Sequence, residues 1–180
     1  MKTPLLLVDG YNMIGSWAEL QQVQRQASIE LARLQLVETL SSFVAYERYE
    51  TVVVFDAYAQ ATPAHTESTS AGIVVCFTGA GETADSWIER HCALHRGSRR
   101  RLRVATSDRL QQLVVSGYGA EWLSAPQLLT EVKRVNRQIR DLQAQRARQG
   151  YKPSLERFMD EATRARLQAW RINGVDPAQP

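Results

Sequence analysis

Short apolar runs that end next to a carboxylate are the main pattern in this chain. Each run has about four or five residues, a length typical of a strand buried on both faces of a parallel sheet. Amphipathic stretches with a period near 3.6 lie between the runs, so strand and helix signals alternate. The runs and the acids that follow them are Leu5–Val8 with Asp9, Val52–Phe55 with Asp56, Val74–Phe77 with Glu82 and Asp85, and Val104–Ser107 with Asp108.

The order of these signals predicts an α/β fold with a mostly parallel central sheet and helices on both faces. Helices are predicted over residues 28–48, 83–95 and 108–116 and from Pro126 onward, and a last short strand over residues 120–123. Residues 57–72 have no periodicity, which predicts a long surface loop directly after Asp56. We expect one domain over residues 1–148 and a basic helical extension over residues 149–180.

The predicted topology brings the acids to one edge of the sheet, because the carboxyl ends of parallel strands meet there. Carboxylates gathered in this way repel each other and need a cation. Mg²⁺ prefers such hard oxygen ligands, and Mn²⁺ suits the same site. The candidate catalytic and metal-binding set is Asp9, Asp56, Asp85 and Asp108, with Glu82 predicted one helical turn before Asp85 on the same face.

Two polar residues accompany the acids. We expect Asn12, three residues after Asp9, either to hold a metal-bound water or to orient the Asp9 carboxylate. Ser107 is a candidate substrate-binding residue that donates a hydrogen bond to a carboxylate or phosphate. Each acid also has a structural alternative: Asp9 begins a turn, Asp108 caps a helix, and the acids near residue 83 favour a helix N-terminus. Each alternative stays open for its own residue. The convergence of all the acids at one edge of the sheet nevertheless favours a metal site.

Charge is unevenly distributed along the chain. Residues 1–132 carry a net charge of −3 and residues 133–180 a net charge of +6, and 19 of the 22 basic residues are Arg. This composition favours a polyanionic partner such as RNA, although Arg-rich helix surfaces also serve solubility. Lys133, Arg134 and Arg137 lie near the start of the last helix and are candidates for contact with the RNA backbone, or else a solvated face. Arg99–Arg101 are expected at the opposite edge, as a docking surface or solvated charge.

Other classes of site and location are disfavoured. Cys76 and Cys92 lack a zinc-type spacing and are predicted to be core thiols of a reduced, cytoplasmic protein. No apolar run has the length of a signal peptide or a membrane span. His91 and His95 lack the Glu of a zinc protease motif and are predicted to be surface or half-buried helix residues. Trp17 is expected to pack in the core more readily than to stack on a base.

The motif Asp9-Gly10-Tyr11-Asn12 resembles the YacP-like branch of the NYN domain family, relatives of the PIN-domain nucleases. The stretch Gly81–Asp85, in register with the other matching pieces, makes the resemblance specific. The segment after Arg148 is expected to lie outside the shared pattern. The matching pieces span most of residues 4–135 and are Leu6–Asn12, Val53–Ala57, Phe77–Thr78 with Gly81–Asp85, and Ala105–Asp108.

The resemblance implies a three-layer α/β/α PIN-like fold and a Mg²⁺- or Mn²⁺-dependent endoribonuclease over residues 1–148. It carries the metal-binding role onto the four aspartates, with Asn12 and Glu82 as neighbours in the catalytic site. A bacterial relative of this branch is a ribosome-associated nuclease that cuts mRNA, so the resemblance implies mRNA and the ribosome as partners by analogy.

Three functions compete at this point. The leading hypothesis is cleavage of single-stranded RNA by metal-activated water. The second is an RNA- or ribosome-binding module with weak or absent chemistry, since the Arg-rich flanks alone provide for binding. A phosphohydrolase of the haloacid dehalogenase type is disfavoured, because such an enzyme needs a second Asp two residues after the first, where this chain has Tyr11.

Overall fold

A computed structural model describes residues 3–56, 64–69 and 72–148. Those residues form six strands and six α-helices. The strands are β1 (Leu5–Asp9), β2 (Glu50–Phe55), β3 (His65–Ser68), β4 (Ile73–Phe77), β5 (Leu102–Ala105) and β6 (Glu121–Leu123). The helices are α1 (Gly10–Ser16), α2 (Ala18–Gln26), α3 (Ile29–Glu47), α4 (Ala84–His95), α5 (Arg109–Gly117) and α6 (Ala125–Arg148).

The sheet is mostly parallel, as the alternating signals predict. Its strand order is β3-β4-β2-β1-β5-β6, and only the β3–β4 pair is antiparallel. Every residue of β1 is buried, because this strand lies at the centre of the sheet with helices on both faces. The interpretation of the apolar runs as buried strands is therefore confirmed.

Alternate residues of β1 serve two cores. Leu5 and Leu7 pack with Ile88 and Cys92 of α4 on one face of the sheet. Leu6 and Val8 point to the opposite face because side chains alternate along a strand. Helix α3 packs on β2 and β4 and buries Leu36, Leu40 and Phe43, among others.

The strand order reverses beside β1. The chain passes from β1 to its neighbour β2 on one side, and later returns to add β5 on the other side. In open α/β sheets ligands bind at such a reversal, outside the carboxyl ends of the strands. We call the side of the sheet where the parallel strands end the carboxyl edge. The opposite side, where the parallel strands begin, is the amino edge.

The first predicted helix agrees closely with α3. Ser28 caps this helix, since its Oγ accepts a hydrogen bond from the backbone N of Leu31 at 3.2 Å. Arg48 ends the helix in the left-handed conformation, with φ of 57°.

Three elements differ from the sequence-based expectation. The turn expected after Asp9 is instead the start of α1, and α2 follows it directly. The loop predicted over residues 57–72 contains β3, whose four residues are all exposed and therefore lack the alternation that marks a strand. Within that loop, residues 57–63 and 70–71 lie outside the described residues.

The chain divides into two compact units, residues 1–138 and residues 139–180. The first unit contains the whole sheet, and the second begins within α6. The predicted helical extension, residues 149–180, lies outside the described residues, and the boundary at residue 148 stays a prediction. In the described part of the chain, no helix has both the length and the apolar character of a membrane span.

Candidate active site

The four aspartates follow four strands that are neighbours in the sheet. Asp9 ends β1, Asp56 follows β2, Asp85 lies in the first turn of α4 after β4, and Asp108 follows β5 by three residues. Since β4, β2, β1 and β5 are adjacent in this order, all four residues lie at the carboxyl edge.

Electrostatic interactions link the four carboxylates. Burial raises the pKa of Asp85, and repulsion from Asp108 and Asp56 raises it further. Burial is also the main cause of a raised pKa at Asp9, with a smaller contribution from Asp85. Asp85 therefore interacts with each of the other three, and negative charge accumulates at this edge.

Asn12 holds the Asp9 carboxylate in place. Asp9 is only 4% exposed and caps α1. One carboxylate oxygen accepts a hydrogen bond from the backbone N of Asn12 at 3.1 Å, and the other accepts from Asn12 Nδ2 at 2.5 Å. Both bonds lower the pKa of Asp9 against the larger effect of burial. Of the two predicted roles of Asn12, the structure shows the orienting one.

The same amide connects the first strand to the loop after β5. Asn12 Oδ1 accepts a hydrogen bond from the backbone N of Ser107 at 3.3 Å. The Ser107 hydroxyl lies 3.3 Å from Ser16 Oγ and accepts from the backbone N of Ala125 at 3.4 Å. These contacts join α1, the β5 loop and α6, so the hydroxyl has a structural role that differs from the predicted contact with a carboxylate or phosphate.

Asp108 has the structural role that the sequence left open as an alternative. Its Oδ1 accepts hydrogen bonds from the backbone N of Leu110 at 2.6 Å and of Gln111 at 3.2 Å, which caps α5. The cap fixes the carboxylate at the carboxyl edge, where it also repels Asp85. The two roles are compatible, because one carboxylate has two oxygens.

The predicted placement of Glu82 is wrong. Thr83 is the N-cap of α4 and the helix begins at Ala84, so Glu82 precedes the helix and is not one helical turn before Asp85. The Glu82 carboxylate forms an ion pair with Arg90 at 2.5 Å. This pairing compensates its charge within the fold, which separates it from the four mutually repelling aspartates.

The donor set fits a hydrated divalent cation better than a cage built by the protein alone. Across residues 3–56, 64–69 and 72–148, no three His, Cys, Asp or Glu side chains are close enough together to hold a metal ion. Mg²⁺ is nevertheless commonly held by one or two carboxylates, with water and substrate phosphate completing its shell. The pKa of Asp85, raised by burial and then by repulsion from Asp108 and Asp56, marks an excess of negative charge that suits such a cation.

Arg134 of α6 is not brought to the acids. Arg134 pairs with Glu47 at 2.7 Å, and Glu47 ends α3 just before β2 begins. Arg134 therefore lies toward the amino edge, and Arg137 lies one turn further along the same helix. Lys133 is exposed and 3.7 Å from Glu19 of α2. The expectation that Arg134 contacts a substrate at the acidic edge is not supported by this placement.

Two arginines of the Arg99–Arg101 run lie at the amino edge, as predicted. Arg100 Nε donates to the carbonyl oxygen of Thr3 at 2.6 Å, and its guanidinium pairs with Glu50 at the start of β2. Arg101 pairs with Glu121 at the start of β6, at 2.7 Å. These two side chains therefore join the beginnings of strands.

Sequence reasoning missed why glycine follows Asp9. A Cβ atom on Gly10 would lie only 2.2 Å from the Phe55 ring, so only glycine lets α1 begin against the end of β2. Phe55 in turn pairs in register with Phe77 of β4, and the two rings stack with centroids 5.6 Å apart.

Sequence reasoning also missed Arg33, a half-buried residue of α3. Its guanidinium carbon lies 5.3 Å from the centroid of the Tyr11 ring and 5.5 Å from those of Phe55 and Phe77. It also donates a hydrogen bond to the Tyr11 hydroxyl. The sequence does show aromatic residues at the ends of β2 and β4. Their common contact with Arg33 joins residues far apart in the chain, so no local pattern predicts it.

The predicted placements of the two histidines of α4, of Trp17 and of the two cysteines are confirmed. His91 and His95 are half-buried on α4 and bond to helix carbonyl oxygens at 3.0 and 2.8 Å. Trp17 is buried and donates from Nε1 to the carbonyl oxygen of Ala125 at 2.9 Å. Cys76 and Cys92 are buried and free.

Comparison with known proteins gives a consistent assignment. The model of the YacP-like NYN domain family matches residues 6–172. This match includes most of the segment that the sequence analysis places outside the shared pattern, so that expectation is wrong. YacP of Bacillus subtilis is 33% identical over 176 residues, covering 96% of this chain and 99% of YacP.

Two solved structures of Rae1 (YacP) from Bacillus subtilis are also similar. One is a crystal structure of a point mutant, with a TM-score of 0.68 and 32% identity, covering 93% of this chain and 99% of the other. The second has a TM-score of 0.67 and 31% identity, covering 100% of both chains. The arrangement of strands and helices described above is thus shared with these structures.

Proposed function

Because the chain belongs to the YacP-like NYN domain family, we propose that it is a Mg²⁺- or Mn²⁺-dependent endoribonuclease that cleaves single-stranded RNA at its carboxyl edge. Family membership and the similarity to YacP (Rae1) support a nuclease-like, RNA-related role. The observation that carries this proposal is the placement of four aspartates at the carboxyl ends of four neighbouring strands, where Asp85 repels the other three.

The residues of the carboxyl edge have distinct roles in this proposal. One or two of Asp9, Asp56, Asp85 and Asp108 would bind the cation directly, with water and the substrate phosphate completing its shell. When bound, the cation supplies positive charge to the phosphoryl oxygens and activates the attacking water. Asn12 orients the Asp9 carboxylate and favours its ionised form through two hydrogen bonds. Burial of Asp9 strengthens its attraction for a cation, since water screens it less.

The RNA substrate is supported by the family and by charge. Residues 133–180 carry a net charge of +6, whereas residues 1–132, which contain the aspartates, carry a net charge of −3. We propose that exposed basic residues of this C-terminal third, Lys133 and Arg137 among them, hold the RNA backbone. By analogy with the resemblance described above, mRNA on the ribosome in the cytoplasm is the proposed setting.

The test is an incubation of the purified full chain with unstructured and structured RNA, in Mg²⁺, Mn²⁺, Ca²⁺ or chelator. We expect cleavage of the unstructured RNA in Mg²⁺ or Mn²⁺ and none in chelator. Asp9→Asn and Asp85→Asn should each abolish it, whereas Glu38→Gln, which alters an exposed acid of α3, should not. Cleavage that survives both aspartate substitutions would eliminate this site as its source.

A second candidate function is an RNA- or ribosome-binding module without chemistry. It is favoured by one observation, the lack of a ready-made group of three metal-ligating side chains among the described residues. Cosedimentation with ribosomes that persists in Asp9→Asn and Asp85→Asn, without cleavage by the unmodified protein in any cation, would establish it instead.

A further inference from the structure

A cavity of about 270 Å³ lies between α3 and the sheet, at the ends of β2 and β4. Most of its exposed wall surface is apolar, although four of the nine lining residues are polar or charged. The apolar lining is Leu34, Val37, Val75 and Phe77, with the buried ring of Phe55 beneath them, and the polar lining is Glu30, Arg33, Glu67 and Thr69.

The guanidinium of Arg33 is an unusual member of this lining. It lies against the rings of Tyr11, Phe55 and Phe77, which holds a cation next to an apolar cavity. Arg33 Nε is buried and has no hydrogen-bond partner among the residues that the structure describes. An unsatisfied buried donor is costly, so the present position of the Arg33 guanidinium is unfavourable unless an acceptor reaches it.

The cavity adjoins the aspartates along the chain. Phe55 directly precedes Asp56, and Tyr11 follows Asp9 by two residues. A ligand in the cavity would therefore sit beside the carboxyl edge rather than at a remote surface.

We propose that this cavity receives one unpaired nucleobase of the RNA substrate, next to the phosphate that is cleaved. This inference rests on the proposed function and extends it. Unstacked bases in single strands are held by aromatic rings and guanidinium groups, with hydrogen bonds to their polar edges. A base in a duplex cannot enter such a cavity, so the cavity accounts for a single-strand preference.

The lining favours a base over a phosphate. The carboxylates of Glu30 and Glu67 would repel a phosphate, and the walls are apolar. A neutral planar ring with donors and acceptors at its edge suits both the apolar walls and the polar lining residues. The walls contact the faces of the ring. At its edge, Arg33 and Thr69 can donate hydrogen bonds and the two carboxylates can accept them.

The experiment uses a matched pair of variants on the exposed side of α3. Leu34 lines the cavity and is 66% exposed, so Leu34→Trp fills the cavity without entering the core. Leu31 is 50% exposed, one turn earlier on the same helix, and is not part of the lining, so Leu31→Trp is the control. Thermal unfolding of both variants verifies that they fold.

Binding of a fluorescent single-stranded oligonucleotide is measured in the full chain carrying Asp85→Asn, so no cleavage is required. We expect Leu34→Trp to weaken binding by about tenfold and Leu31→Trp to leave it unchanged. A second series of oligonucleotides carries one abasic site, moved one position at a time. Affinity should fall by a similar factor when the abasic site is at one particular position, and Leu34→Trp should remove this dependence on position. The abasic series needs no cavity variant, so it decides the matter even if Leu34→Trp does not fold.

Equal affinity for intact and abasic oligonucleotides would overturn the nucleobase proposal and leave the cavity to an apolar peptide side chain. A loss of affinity at one abasic position supports the nucleobase proposal, even if the unmodified chain cleaves no RNA in Mg²⁺ or Mn²⁺. In that case the nuclease proposal fails while the nucleobase site stands, so the two failures are distinct.

Discussion

The Asp9–Asn12 pair shows how one side chain reconciles burial with charge. Asp9 is nearly inaccessible to water, which disfavours its ionised form, yet a cation ligand must be ionised. Asn12 satisfies both carboxylate oxygens from a position one turn into α1. The spacing of three residues in the motif is thus the spacing of a helix cap.

Replacing this amide should shift the pH dependence of RNA cleavage. Asn12→Ala removes the side-chain hydrogen bond that lowers the pKa of Asp9, so the pKa rises further. Since the proposed cation binding needs ionised Asp9, the acidic limb of the pH profile should move to higher pH, with a loss of about tenfold or more near its midpoint. Ser16→Ala, which removes an exposed hydroxyl on the same helix, should leave the limb in place.

Asp85→Asn should raise the melting temperature of the metal-free protein and lower its activity. The raised pKa of Asp85 means that its charge is unfavourable in the fold, so folding stability is greater below its unfolded pKa and falls as pH rises through the folded pKa. The substitution removes that penalty at neutral pH and also removes a proposed ligand. Thermal unfolding in chelator measures the first effect, and a clear loss of stability there would mean that Asp85 is structurally bonded instead.

At the scale of elements, the sequence predicted those strands and helices that a local pattern of apolar and polar residues determines. The buried strands and α3 have the expected periods and caps, and the strand ends locate all four aspartates. Helix α1 has only seven residues and begins with glycine, and β3 is wholly exposed, so neither carries a detectable apolar period. The contact of Arg33 with three rings depends on tertiary packing, which no local pattern encodes.

The junction of β1 and α1 should not tolerate a methyl group at its first helical residue. Gly10→Ala places a Cβ atom within 2.2–2.7 Å of the Phe55 ring, so that ring or the helix must move. We expect a destabilisation of about 1–3 kcal/mol and reduced cleavage, because Asp9 and Asp56 flank this contact. Denaturant unfolding measures the stability.

Gly15→Ala is the matched control for this substitution. Gly15 lies in the same helix, but a Cβ atom there meets nothing within 4 Å. Because alanine favours a helix over glycine, this variant should be neutral or stabilised by up to about 1 kcal/mol. Equal destabilisation of both variants would show that the Phe55 contact is not the cause.

At the scale of the whole molecule, the two edges of the sheet divide two tasks. The carboxyl edge gathers repelling acids, which disfavours folding in the absence of a cation. The amino edge contains ion pairs, and β5 carries Arg103, whose side chain is 6% exposed and bonds to both oxygens of Glu131 of α6 at 2.8 and 2.9 Å. These ion pairs therefore lie away from the proposed chemistry.

The Arg103–Glu131 pair should give the molecule a measurable acid sensitivity. The hydrogen bonds from Arg103 lower the pKa of Glu131 below 4.5 in the folded protein. The ion pair therefore stabilises the fold fully above pH 4.5, and this stabilisation is lost as pH falls through the folded pKa of Glu131. Glu131→Gln should cost about 2 kcal/mol at neutral pH, and the difference from wild type should shrink in acid. Glu121→Gln removes a more exposed partner of Arg103 and should cost less than about 1 kcal/mol. Urea unfolding at several pH values measures both, and a pH-independent cost at Glu131 would contradict the ionic explanation.

We propose that the aspartates at the carboxyl edge bind a divalent cation. A crystal of the protein soaked in Mn²⁺, measured at the manganese absorption edge, tests it most directly. We predict an anomalous peak at the carboxyl edge in contact with at least one of Asp9, Asp56, Asp85 and Asp108, and its loss in Asp85→Asn. A fully soaked crystal with no manganese peak at these four side chains would contradict the account.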